Sequence, residues 1–77
     1  MISSRGKFLT AGRGGVFYSF VNTGDRLKDG QLIGEIKSLE GASLEEIRSP
    51  FDSVVLAIVN NPAVKKSDIT FELLGSN

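Results

Sequence analysis

The sequence predicts an all-β fold, a quasi-symmetric two-sheet barrel, and three observations predict it. Apolar and β-branched residues fall in short runs, turn residues and most of the nine glycines separate those runs, and the chain repeats itself. Leu27-Lys28-Asp29-Gly30-Gln31-Leu32-Ile33-Gly34-Glu35-Ile36 matches Val64-Lys65-Lys66-Ser67-Asp68-Ile69-Thr70-Phe71-Glu72-Leu73 in character. With a one-residue shift, the run from Val16 to Asn22 matches the run from Val54 to Asn60. Each half therefore reads strand, Asn turn, apolar-Lys turn, strand. Alone, either half would expose an apolar face; closing the two about a pseudo-twofold axis buries both faces in one core.

Taken in order, the first dozen residues hold one short apolar pair, Phe8-Leu9, which suits an edge strand or a flexible arm. Gly15 to Val21 is rich in aromatic and β-branched side chains and precedes the turn residues Asn22-Thr23-Gly24-Asp25, so it reads as a strand. Leu32 to Ile36 is the next strand, introduced by Asp29-Gly30, a pair that favours positive φ at the glycine. Leu44 to Arg48 is short and stopped by Ser49-Pro50; five residues make a strand more readily than an isolated helix. Ser53 to Val59 is almost continuously apolar, as in a strand buried on both faces, and Asn60-Asn61-Pro62 turns the chain. Ile69 to Leu73 alternates and forms the last strand. Residues 1–13 are thus an arm or edge strand, 14–74 the folded domain and 75–77 a frayed end. The expected core is Val16, Phe20, Leu27, Leu32, Ile36, Ile47, Val54, Leu56, Ile58, Val64, Ile69, Phe71 and Leu73. Most of the six aromatic rings should join it.

Composition narrows the chemistry. A length of 77 residues suits one small domain and excludes a two-domain enzyme with a cleft between its halves. Nine basic and nine acidic residues give a formal net charge of zero, which argues against nucleic acid or an anionic membrane as partner. A mildly basic arm carries Arg5, Lys7 and Arg13. Without cysteine there is no disulfide, thiolate metal site or thiol nucleophile; without histidine there is no serine triad and no imidazole-bound zinc. With no secretory segment and no long apolar run, the expected location is the cytoplasm.

Carboxylates are the remaining acid/base groups. Glu45 and Asp52 are a conceivable hydrolytic pair, although solvated charge accounts for them more simply. Glu45 and Glu46 should point to opposite faces, so one could face an interface; the simpler reading is that both hydrate a hairpin edge or pair with Lys37 or Arg48. Gly12-Arg13-Gly14-Gly15 has the glycines of a phosphate cradle but neither the Lys-Ser/Thr of a P-loop nor a following helix, so it reads as entry into the first core strand. Asp25 is a weak calcium ligand and a good turn residue. The alternating aromatics with nearby Arg13 and Arg26 could form a stacking platform for single-stranded nucleic acid, but the zero net charge counts against it. Tyr18, on the face opposite Phe17, is the best exposed aromatic for contact with a partner.

Asp25-Arg26-Leu27-Lys28-Asp29-Gly30-Gln31-Leu32-Ile33 and Ser49-Pro50-Phe51-Asp52-Ser53-Val54-Val55 resemble the turn and strand sequences of lipoyl- and biotinyl-type domains. That resemblance implies a barrel-sandwich hybrid. Carriers place the modified lysine at a hairpin tip between flanking methionines or in an Asp-Lys-Ala context. Here the tip reads Ser38-Leu39-Glu40-Gly41-Ala42-Ser43, and Lys37 precedes it. The same segment is too short to carry the helical hairpins of an efflux adaptor.

A fuller resemblance rests on Gly14-Gly15-Val16-Phe17, Thr23-Gly24-Asp25-Arg26-Leu27, Leu44-Glu45-Glu46-Ile47-Arg48-Ser49-Pro50 and Asn61-Pro62-Ala63-Val64. Together these look like the C-terminal domain of the succinylglutamate desuccinylase/aspartoacylase family, with Ser53 departing where relatives often have glycine. The resemblance implies an accessory domain of a longer zinc-dependent amidohydrolase that deacylates N-acyl amino acids, packing on its catalytic domain and shaping active-site access or subunit contact. The metal ligands and catalytic glutamate of such an enzyme sit in its N-terminal domain, and none of them can be carried over to this sequence. No catalytic, cofactor-binding or metal-ligating residue is therefore assigned here, and zinc is implied only for that other domain. The implied partners are the N-terminal zinc domain and a second copy of the chain.

Overall fold

The computed structural model describes residues 6–75. Within them are eight strands: β1 (Gly6–Thr10), β2 (Gly15–Ser19), β3 (Arg26–Leu27), β4 (Leu32–Lys37), β5 (Ser43–Arg48), β6 (Ser53–Ile58), β7 (Ala63–Val64) and β8 (Ile69–Gly75). They form two antiparallel four-stranded sheets, ordered β1-β8-β6-β3 and β5-β4-β2-β7. Among the described residues no helix is long and apolar enough to cross a membrane. The first five residues of the expected arm and the expected frayed residues 76 and 77 lie outside the described residues. Gly75, placed in that frayed end, is instead the last residue of β8 and pairs with Ser53.

The repeat legible in the sequence governs the topology. Exchanging β1 with β5, β8 with β4, β6 with β2 and β3 with β7 converts one sheet order into the other. The short strands cross over: β3 pairs with β6, and β7 pairs with β2. Each half therefore completes the other half's sheet. Single hydrogen bonds repeat as well. Phe20 N–H donates to the Ile33 carbonyl at 2.9 Å and Val59 N–H to the Thr70 carbonyl at 2.9 Å; Gly30 N–H donates to Ser49 at 2.7 Å and Ser67 N–H to Ala11 at 2.7 Å. Lys28 N–H is capped by the Gln31 side chain and Lys65 N–H by that of Asp68.

One core lies between the sheets: Ala11, Phe17, Leu27, Ile33, Ile36, Ile47, Val55, Val64, Phe71 and Leu73. Its members come in related pairs, among them Phe17 with Val55, Leu27 with Val64, Ile36 with Leu73, and Ala11 with the buried Ser49. At one pair the symmetry becomes complementarity. Phe71 is related to Gly34, and its ring lies over that glycine and meets Phe17 edge to face at 5.3 Å.

Leu27, Ile36, Ile47, Val64, Phe71 and Leu73 are buried as expected, but several other expected core residues are not. Val16, Leu32, Val54 and Ile58 are half-buried; Phe20, Leu56 and Ile69 are exposed. The side-chain period of a strand is two, so a one-residue error of phase exchanges the faces. In β2 the inward residue is Phe17 rather than Val16, and in β6 Val55 rather than Val54 or Leu56; in β4 Ile36 is inward as expected, and a bulge at Ile33, between Leu32 and Gly34, buries Ile33 in place of Leu32. A bulge between Val55 and Ala57 leaves Leu56 and Ala57 exposed, so β6 is not buried on both faces. β2 ends at Ser19 rather than Val21, because the Ser19 hydroxyl donates to the Val21 carbonyl at 2.7 Å and turns the chain. Of the six rings only Phe17 and Phe71 are buried, with Phe51 partly so.

The two related turns differ in strain. Gly30 has φ 83° and its counterpart Ser67 has φ 78°, the one non-glycine residue with positive φ among those described. A side chain in the left-handed region costs about 1–2 kcal/mol. Ser67→Gly removes that cost but enlarges the unfolded-state entropy, for a net gain of about 0.5–1 kcal/mol. Gly30→Ala meets no atom within 4 Å, yet should lose about 1 kcal/mol through backbone conformation alone. Urea midpoints measured in parallel should move in opposite directions; equal signs would refute the correspondence of the turns.

Candidate functional site

The residues that could carry chemistry are held by backbone hydrogen bonds, two ion pairs and a buried hydroxyl pair. At the hairpin between β4 and β5, the Ser38 hydroxyl accepts from Ala42 N–H at 3.1 Å and Ser38 N–H donates to the Ala42 carbonyl at 2.8 Å. These bonds close a tight tip whose outermost side chain is Leu39, 91% exposed. Lys37 lies in the strand before the tip. Its ammonium is 3.6 Å from Glu35 and sits over the Tyr18 ring at 5.3 Å from the centroid. Ser43 donates to the other Glu35 oxygen at 2.8 Å. Tyr18 is on the outer face, 46% exposed, with Phe17 inside, as alternation requires. Its outer surface is shared with a cation.

Glu45 reaches across the domain instead of into solvent. Its carboxylate accepts from Gly12 N–H at 2.9 Å, and a Cβ on Gly12 would be 3.0 Å from the same oxygen. The glycine-rich entry thus already offers its amide to a resident carboxylate. Glu46 pairs with Arg48 at 3.0 Å, and the other guanidinium nitrogen donates to the Gly30 carbonyl at 3.0 Å.

Asp52, the conceivable partner of Glu45, accepts from Asp29 N–H at 2.8 Å. The two carboxylates therefore serve different backbone amides, and neither has an observed link to the other. Asp25 accepts from Asn22 N–H at 2.8 Å, which is the turn role expected of it. Among the described residues no group of three or more acidic side chains could hold a metal ion.

The polar feature that sequence reasoning did not anticipate is a buried serine pair. Ser49 and Ser53 are 1% and 0% exposed, and their hydroxyls are 3.1 Å apart. Ser49 donates to the Phe51 carbonyl at 2.6 Å, so Ser53 must donate to Ser49. Both hydroxyl protons are satisfied within the turn, and among the described residues no acid/base side chain hydrogen-bonds to either serine, so the pair braces the Ser49-to-Ser53 turn. Ser53 stands where the resemblance expects glycine, and this bond is what the serine adds.

No protein-family model matches the chain, and no curated protein matches it. Solved structures do. A succinylglutamate desuccinylase/aspartoacylase from Rhodobacter sphaeroides superimposes with a TM-score of 0.80 at 22% identity, over 91% of this chain and 22% of that one. An aspartoacylase family protein from Mesorhizobium loti gives 0.76 at 25% identity, over 86% of this chain and 24% of that one. A single-chain, multi-domain long-chain acyl-CoA carboxylase gives 0.81 at 11% identity, over 100% of this chain and 8% of that one. This chain spans at most about a quarter of the length of these proteins, and the likeness is one of fold.

Proposed function

We propose that residues 14–74 form a barrel-sandwich hybrid of the lipoyl/biotinyl-like type, acting as the non-catalytic accessory β domain of a cytoplasmic, zinc-dependent amidohydrolase of the succinylglutamate desuccinylase/aspartoacylase kind. In this role the domain packs on an N-terminal catalytic domain and shapes access to the active site. Zinc and the hydrolytic residues belong to that other domain. The observation that carries the proposal is the likeness in fold to about a fifth to a quarter of chains from that family. The side-chain chemistry agrees with it: Glu45, Asp52 and Asp25 each accept from a backbone amide, leaving them in structural roles.

The experiment is an assay of the 77-residue chain on N-acyl amino acids with added zinc. The expected result is no turnover above the buffer rate. Turnover that disappears in Glu45→Gln or Asp52→Asn would overturn the accessory role.

The carboxylase likeness raises a carrier domain as the competing function, and Lys37 decides it. A carrier presents its lysine at the tip for a ligase, whereas Lys37 is drawn back onto Glu35 and Tyr18. Intact mass after co-expression with a biotin or lipoate ligase should equal the unmodified mass. An adduct on Lys37 would make the chain a carrier.

A further inference from the structure

The pseudo-twofold axis allows the outer faces of the two sheets to be compared position by position. On the β5-β4-β2-β7 sheet, Glu35, Lys37, Glu46 and Arg48 form a charged surface closed by two ion pairs. The β-ladder registers take Glu46 to Phe8, Arg48 to Thr10, Lys37 to Leu74 and Glu35 to Glu72. Three of the four charges are therefore lost on the other face, and two are replaced by large apolar side chains. Leu56, displaced by the bulge, adds to that face at 41% exposure, and Phe8 at 55%. An open depression of about 210 Å³ runs beside Phe8 and Glu72.

Among the described residues two charges are left on this face. Glu72, half-buried in the depression, has no cation within ion-pair distance among the described residues. Arg26 pairs in register with Val54, on the side opposite the buried Leu27, and is likewise unpaired there. Along the ladder Arg26-Val54-Leu74, Glu72 lies two strands across and one outward position along, so acid and base sit diagonally with Val54 and Leu74 between them.

We propose that this face of the β1-β8-β6-β3 sheet is a homodimer interface, in which Arg26 of each copy meets Glu72 of the other across an apolar centre. A twofold axis lying in the contact, through that centre and across the line joining the two charges, sets each charge against its opposite on the other copy, so the surface is self-complementary, as an isologous contact requires. A stable interface takes about 800 Å² from each partner, roughly a sixth of the 5020 Å² surface of this chain. One of the two broad faces of a sandwich is of that order. Zero net charge adds no long-range repulsion between copies. The dimer does not depend on the accessory role proposed above.

The test is sedimentation velocity of the 77-residue chain over a concentration series, with circular dichroism melting as the check on folding. The wild type should pass from monomer to dimer as concentration rises. Glu72→Arg and Arg26→Glu should each remain monomeric, and Leu74→Lys, which restores the charge found at the related position Lys37, should do the same. The double exchange Arg26→Glu/Glu72→Arg should recover the dimer, and Glu46→Arg on the other face should leave it intact. A wild type monomeric throughout, a Glu72→Arg variant that dimerises normally, or a double exchange that fails to recover would each overturn the proposal. A surface occupied instead by another domain would give the first of these results.

Discussion

Phe71→Ala should lower the unfolding free energy by about 3–5 kcal/mol, the range for a buried phenylalanine truncated in a core. Scaled at about 0.05–0.15 kcal/mol per residue, a domain of this length has about 4–12 kcal/mol in all, so the variant should lose a large share of its stability and its urea midpoint should fall steeply. The size of the effect follows from position. Phe71 is fully buried, contacts Phe17 across the sheets, and fills the space over Gly34 that its symmetry-related residue leaves empty. No other core pair combines the largest buried side chain in one half with no side chain in the other. Truncation leaves a hole that collapse cannot fill, because the atoms beneath it are backbone of β4. Phe71→Leu should retain about half the loss, since an aliphatic side chain keeps most of the buried area but not the edge-to-face contact. Urea denaturation followed by far-ultraviolet circular dichroism measures both. A Phe71→Ala midpoint close to that of the wild type would mean that the two sheets do not share this core.

Much of this was legible in the sequence because repeats survive where single positions do not. The correspondence of Leu27–Ile36 with Val64–Leu73 predicted strands, turns and pseudo-symmetry together, and the hydrogen bonds at Gly30 and Ser67 follow it; the pair at Phe20 and Val59 lies one residue out of the sequence register because of the bulge at Leu56. What the pattern could not set was phase. Val16-Phe17 and Val54-Val55-Leu56 are apolar at consecutive positions, so hydrophobicity does not distinguish the inward residue, and the bulges between Val55 and Ala57 and between Ile36 and Lys37 break strict alternation. The two-residue strands β3 and β7 are too short to leave a periodic signal. They are nonetheless what ties the halves together.

The polar sites divide along the same line. Asp25 caps a turn from three residues away, and that role could be read locally. Glu45 takes up the Gly12 amide from 33 residues away, which no local motif encodes. The loss of charge from one sheet face also becomes visible only when Phe8 is set against Glu46 and Leu74 against Lys37. Neither residue looks unusual by itself, since isolated exposed apolar side chains are common on soluble domains.

Gly34 tests the close approach on which the sandwich closes. It is buried in β4, and its φ is not among the positive values found at Gly24, Gly30 and Gly41. Backbone conformation therefore permits any residue there, and only space forbids one. A Cβ would stand 2.7 Å from the Tyr18 carbonyl oxygen and 3.2 Å from Phe71 Cζ. The ring could yield a few tenths of an ångström; the carbonyl belongs to the neighbouring strand β2 and cannot yield without opening the β2–β4 ladder. Gly34→Ala should cost about 1–3 kcal/mol, the usual range for overpacking, and Gly34→Val should exceed it because its branches meet the ring as well. Combining Gly34→Ala with Phe71→Leu should not restore stability, since the conflict with Tyr18 remains. Gly41→Ala is the contrast: positive φ and no atom within 4 Å should give a loss of about 1 kcal/mol from conformation alone. If Gly34→Ala proves as mild as Gly41→Ala in urea denaturation, β2 and β4 can separate at low cost, and the close packing of Phe71 on Gly34 is not what holds the halves together.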